Sequence, residues 1–183
     1  MVNNYMKSNN LWKEVETGPN PPEEIFVLIE IPKGSRVKYR YLRDKGYMVM
    51  DRVLFSPVFY VGNYGIIPKT MWDNGEPLDA LIIMNEPIHP GTIIAVKPIA
   101  ILEMLDEGKR DDKILAIASG DPSSKNIKDL HDLNPHLPQE IAHFFESYKH
   151  LEGKKVEILG WKGIEGAKKA IVHAQKLFNA KVK

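Results

Sequence analysis

TIIAVKPIAILEML, residues 92–105, is followed by DEGKRDDK, residues 106–113, and then by ILAIA, residues 114–118. The first and last pieces are apolar and rich in β-branched side chains, while the middle piece is charged and holds a glycine. That pattern predicts a long strand over Thr92 to Leu105, interrupted by Pro98, a charged turn, and a second strand over Lys113 to Ala118, paired as a hairpin. Working outward, Ala80 to Met84 is an apolar run after a turn cluster. Met48 to Phe59 is β-branched and aromatic with breaks, Val37 to Tyr41 alternates, and Ile25 to Ile31 is a short apolar run; these read as further strands. Helical signals come late. Pro138 sits where a first turn would begin and Gly153 lies past its end. Between them Ile141, Phe144, Phe145 and Tyr148 recur at helical spacing. Lys154 to Gly160 returns to alternation, and Ala167, Ile171, Ala174 and Phe178 mark a second amphipathic helix over Glu165 to Ala180. Short strands followed by two helices predict an α+β fold, a twisted sheet or small barrel with the helices covering its outside. The absence of strand–helix–strand alternation argues against a doubly wound sheet or an eight-fold α/β barrel.

The chain has 183 residues, which suits one domain spanning 1–183, since single cores run to about 100–200 residues. Residues 1 to about 22 are polar and punctuated by proline and glycine, and read as an irregular N-terminal arm. The net charge of +1 argues against a protein built to neutralise nucleic-acid phosphates. With no cysteine there is neither a disulfide nor a thiolate nucleophile. No stretch approaches the ~18 apolar residues of a membrane span, and the N-terminus carries no signal-peptide core. The expectation is a cytoplasmic enzyme or binding protein with no membrane and no nucleic-acid partner.

Phosphate loops of the G-x-x-x-x-G-K-[ST] type, nucleophile elbows and zinc helices are all missing. Chemistry must therefore rest on carboxylates, lysines, arginines and tyrosines. One cluster is Asp73-Asn74-Gly75-Glu76-Pro77-Leu78-Asp79, four oxygen-bearing side chains in one tight turn running into the Ala80 strand. Hard cations such as Mg²⁺ take such oxygens, while the bland reading is a solvated Asn-Gly turn. The second is the turn with Asp106, Asp111 and Lys113, where the bland reading is an exposed charged loop. Two such turns on neighbouring strands could converge on one divalent-metal site. A third group, Lys38-Tyr39, Arg52, Tyr64 and Tyr148-Lys149, holds donors suited to phosphate. Tyr148 is in phase with an apolar stripe and Arg52 follows Asp51, so a core ring and an ordinary ion pair are their plain readings.

Together these segments resemble the soluble family I inorganic pyrophosphatases. The resemblance rests on Ile29-Glu30-Ile31-Pro32, Lys38-Tyr39, Asp51-Arg52, Asn63-Tyr64-Gly65-Ile66-Ile67-Pro68, Gly75-Glu76-Pro77-Leu78-Asp79, Asp106 through Lys113, Ile141 to Phe145, Tyr148-Lys149 and Gly160-Trp161. It implies an OB-like five-stranded barrel with flanking helices, a homohexamer, and hydrolysis of pyrophosphate by a Mg²⁺-activated water, with Mn²⁺ or Zn²⁺ as substitutes. It implies metal ligation by Asp79, Asp106, Asp111 and Asn74, with Glu30 near a further metal. Lys38, Arg52, Lys113, Tyr148 and Lys149 fall on phosphate-binding positions. Tyr64 orients the site, and Glu76 orients or deprotonates the nucleophile. The family's turn normally reads Asp-x-Asp-Pro-x-Asp, so Asn74 lacks a carboxylate and Glu76 carries an extra methylene; Arg40 stands where an acid is usual. The competing reading is a weakened member that binds phosphate or metal–phosphate without turnover. An OB-fold single-strand binder is disfavoured, because the polar clusters are mostly acidic.

Overall fold

The computed structural model describes residues 10–182. In chain order the elements are α1 (Leu11–Glu14), β1 (Ile25–Ile31), β2 (Val37–Leu42), β3 (Tyr47–Val53), β4 (Asn63–Ile66), β5 (Asp79–Ile83), β6 (Ile93–Asp106), β7 (Lys109–Arg110), β8 (Lys113–Ala118), α2 (Leu137–Ser147), β9 (Val156–Gly163) and α3 (Ile164–Lys181). Five strands close a ring in the order β1-β4-β5-β8-β6, with β6 returning to pair β1, so the OB-like α+β barrel with flanking helices is what forms. The hairpin of β6 and β8 is the one expected, and β7 with the turn at Glu107 (φ 49°) and Gly108 (φ 81°) tightens its tip. Two successive positive-φ residues give the twist that suits a two-residue hairpin loop. Pro98 falls at a register shift in β6, as a residue without an N–H donor must.

Strand alternation sorts the side chains into an inner and an outer set. Ile29, Gly65, Ala80, Ile114 and Ile101 are successive register partners, and all but the glycine belong to one cluster to which β1, β5, β6 and β8 contribute. Gly65 lets β1 and β4 close up, because a Cβ there would stand 2.1 Å from the Leu28 carbonyl oxygen. The other parity faces outward and splits into two clusters. One holds Leu81, Leu115 and Ile117 under Ile141, Phe144 and Phe145 of α2. The other holds Leu28 and Ile66 with Trp12, Tyr41 and Phe178. Each fully buried large side chain contributes about 1.5–3 kcal/mol.

Two details differ from the sequence reading. The helices flank the barrel, but α3 does not only cover its outer face: Phe178 packs there, while the stripe Ala167, Ala170, Ile171 and Ala174 joins the inner cluster. Small residues let that helix approach the strands' inner side chains closely. The N-terminal arm also holds a turn of helix over Leu11–Glu14, and Trp12 is buried, because an indole of that size finds an apolar slot against Phe178. Residues 1–9 of the arm lie outside the described residues.

Candidate active site

The alternation that fills the barrel also places charge on its outside. Asp79 opens β5 and Lys113 opens β8; these strands run parallel with the two residues in register. Their side chains meet directly, Lys113 Nζ lying 2.7 Å from Asp79 Oδ2 and 2.8 Å from Asp111 Oδ2. Tyr64 of β4 donates its hydroxyl to the same Asp79 oxygen at 2.5 Å. Burial and then Asp79 push the Tyr64 hydroxyl far above its ordinary pKa, so it stays a donor. Burial pulls Lys113 down, but Asp79 and Asp111 outweigh it and hold the ammonium above its usual range. Burial raises the Asp111 carboxyl, with Lys113 partly opposing.

The turn before β5 brings Asn74 to the second acidic turn: its Nδ2 donates to Asp111 Oδ1 at 2.9 Å, while its Oδ1 accepts from Glu76 N at 3.0 Å. Gly75 at φ +85° permits this turn. Asp73 points elsewhere, to His173 at 2.9 Å, so it does not stand in for a carboxylate at position 74. Glu76 accepts from Arg43 at 2.5 Å, with Arg40 at 3.6 Å. Glu30 is buried beside the site, its Oε1 accepting from Tyr41 N at 2.7 Å. Burial raises it to about 7, the Tyr41 bond partly offsetting this.

Cations and phenols line the same cavity. Lys38 and Arg52 are register partners across β2 and β3, so both face the same way. Arg52 pairs with Asp51 at 2.5 Å and with Glu152 at 3.0 Å; the plain ion-pair reading thus holds, but it leaves the guanidinium in the site. Lys38 has no hydrogen-bond or ion-pair partner among the described residues. Burial, then Arg52 and Lys149, lower its pKa, with Asp79 partly opposing. Tyr148 stacks on Phe144 at 5.4 Å, so its ring serves the core and its hydroxyl, unbonded among the described residues, reaches the cavity. Lys149 pairs with Asp106.

Glu30, Lys38, Arg52, Tyr64, Asn74, Glu76, Asp79, Asp106, Asp111, Tyr148 and Lys149 all line one cavity of about 470 Å³, Lys113 is buried against Asp79 and Asp111, and Tyr39 and Asp73 of the candidate clusters do not line it. Arg43, Lys109 and Lys154 line it too. Sequence reasoning missed Arg43; the only available signal was the density of cations around β2. No three acidic or histidine side chains form a ready metal cage among the described residues, because lysine ammoniums occupy the space between the carboxylates. The donors nonetheless suit a hard cation. They are carboxylate and amide oxygens, and Asp106 Oδ1 is buried with no hydrogen-bond partner.

Carboxylates facing cations and protonated phenols on the outside of a closed barrel define a phosphate-handling protein of the OB-like class. The comparisons narrow this. The family model for inorganic pyrophosphatase matches residues 27–179. The inorganic pyrophosphatase of Haloferax volcanii is 45% identical over 170 residues, covering 92% of this chain and 96% of that protein. That of a Synechocystis strain is 50% identical over 141 residues, covering 77% and 83%. The crystal structure of the Thermus thermophilus inorganic pyrophosphatase superposes with a TM-score of 0.89 at 36% identity, covering 93% of this chain and 99% of that one. The chain belongs to the inorganic pyrophosphatase family.

Proposed function

We propose that this chain hydrolyses inorganic pyrophosphate to two orthophosphates in the cavity just described, with Mg²⁺ as the divalent cation and Mn²⁺ or Zn²⁺ as substitutes. The observation that carries the reading is one cavity lined both by the carboxylates Asp79, Asp106 and Asp111 and by cationic and phenolic donors, among them Lys38, which has no hydrogen-bond or ion-pair partner among the described residues. Asp79, Asp106, Asp111 and the Asn74 carbonyl oxygen would hold the cation, with Glu30 at the margin. A bound divalent cation supplies Lewis acidity toward phosphoryl oxygens and acidifies water. The protein's own groups do the rest. Lys38, Arg52 and Lys149 neutralise the phosphates, and Tyr148 donates to them. Tyr64 fixes the Asp79 carboxylate, and Lys113 holds Asp79 and Asp111 side by side. Glu76 orients the attacking water or accepts its proton. The water oxygen bonds to one phosphorus while the bridging P–O bond breaks, its electron pair leaving with the second phosphate. The polar lining offers no thiol, and no covalent phosphoenzyme is needed.

Phosphate release from pyrophosphate with and without Mg²⁺ tests this: chelation abolishes the rate and ATP is a far poorer substrate. A folded protein that releases no phosphate with Mg²⁺, Mn²⁺ or Zn²⁺ refutes it. Among the described residues no helix is long and apolar enough to cross a membrane. We further propose a cytoplasmic homohexamer; light scattering that returns the 20.8 kDa monomer counts against the assembly.

A further inference from the structure

The family model matches from residue 27, yet the described part of the arm before it makes contacts that end at the cavity. Trp12 is buried, donates Nε1 to the Thr70 carbonyl at 2.9 Å, and meets the Phe178 ring of α3 edge-on at 5.1 Å. The Arg43 guanidinium lies over the Trp12 ring at 4.8 Å. Asn10 Nδ2 donates to the Arg43 carbonyl at 2.6 Å, tying the same residue's backbone to the arm. From that hold Arg43 donates to Glu76 Oε2 at 2.5 Å. The chain of contacts thus runs from the arm through one arginine to a side chain in the cavity lining.

We propose that Arg43, gripped by Trp12, is a positioning residue that fixes the Glu76 carboxylate, making the N-terminal arm part of the catalytic apparatus. The inference rests on the reading of Glu76 as the group serving the attacking water. A glutamate has one more rotatable bond than an aspartate, and the Glu76 side chain is half exposed. Unrestrained, it would sample several positions, and a catalytic group misplaced by about 1 Å costs about 100-fold in rate. An ion pair between two free surface side chains holds geometry poorly. Arg43 is not free: its planar fork is pre-oriented on a buried indole, and little motion is left to it. Arg40, more exposed and farther from Glu76, is the weaker partner.

The test is kcat and KM for Mg-pyrophosphate with the full chain, as wild type, Arg43→Met, Arg43→Lys, Trp12→Leu and Trp12→Phe, each repeated in a Glu76→Asp background. The expected result is a kcat loss of about tenfold for Arg43→Met with KM within about twofold, a smaller loss for Trp12→Leu, and partial rescue by Lys and Phe. In the Glu76→Asp background the shorter side chain needs less restraint, and Arg43→Met costs under about threefold. A raised KM at unchanged kcat makes Arg43 a substrate contact and overturns the proposal, as does an equal loss in both backgrounds or no loss in either. Should Trp12→Leu fail to fold, the Arg43 series decides. A readout apart from activity is the Arg43 Hε resonance, shifted upfield by the Trp12 ring in wild type, partly retained in Trp12→Phe and lost in Trp12→Leu; an unshifted wild-type signal also overturns it. A wild type with no hydrolysis sinks the pyrophosphatase reading itself, whereas an active enzyme indifferent to Arg43 sinks only this inference.

Discussion

Replacing Asn74 by aspartate converts a hydrogen bond into a repulsion. Its Nδ2 donates to Asp111 Oδ1 at 2.9 Å; in Asn74→Asp two carboxylate oxygens face each other at that spacing. The lost bond to a charged acceptor is worth about 1.5–3 kcal/mol. Two unit charges 2.9 Å apart repel by about 6 kcal/mol gross at an effective dielectric near 20. Lys113, already bound to Asp111, and water in the open cavity screen most of it. A net loss of about 3 kcal/mol without metal is reasonable, and in a chain of this size that lowers Tm by about 6–12 °C. A divalent cation reverses the sign, since the new carboxylate then faces positive charge. Each ~1.4 kcal/mol retained tightens binding about tenfold. The assay is thermal unfolding in EDTA and along a Mg²⁺ titration, with phosphate release measured on the same samples. We expect the variant to melt lower in EDTA, gain more per increment of Mg²⁺, and reach half-maximal activity at lower Mg²⁺. Identical melting in EDTA together with identical Mg²⁺ midpoints would refute both the contact and the proposed ligand role of residue 74.

Lys113→Met removes the one ammonium bridging two largely buried carboxylates, and should cost about 3–5 kcal/mol in urea unfolding; a loss below about 1 kcal/mol would show that the pairing is unimportant. Glu30 has a folded pKa near 7 against an ordinary 4.5, so the native state holds its proton more tightly than the unfolded chain does. Its contribution is fully present below about pH 4.5 and is lost as pH rises to about 7, a swing of roughly 3 kcal/mol. Glu30→Gln should therefore match wild type at pH 4.5 and exceed it at pH 8, and parallel stability–pH curves would refute the assignment. Asp111→Asn should mainly raise the Mg²⁺ requirement, whereas Arg52→Ala should mainly weaken substrate or transition-state binding by about tenfold or more; steady-state kinetics showing the same profile for both would remove the division of roles between cation-holding and phosphate-holding residues.

The strand Lys113–Ala118 was legible because all six of its residues are buried and the five after Lys113 form a continuous apolar run. Helix α2 was legible from Pro138 and its aromatic stripe, but its end was not: it stops at Ser147, and Gly153 instead takes the left-handed conformation after a separate 3-10 turn over His150–Glu152. Strand β4 was not, since Asn63–Ile66 is four residues with a central glycine, too short for any period to register. Its role in the ring comes from how closely β1 can approach that glycine.

Sequence alone determined which chemistry was available: oxygen ligands, cations and phenols without a thiol, arranged in turns whose order matched one family. It also determined the alternation that sends Ile114 inward and Lys113 outward. Tertiary structure decided which groups meet. The parallel register of β5 on β8 sets Asp79 beside Lys113, 34 residues away. Packing of the segment after α2 brings Glu152 to Arg52, 100 residues away. Burial of Trp12 from the arm turns Arg43 toward Glu76. Local periodicity fixes which face a side chain takes, because it depends only on backbone geometry; pairing across the barrel depends on packing between segments distant in the chain, and no local pattern encodes it.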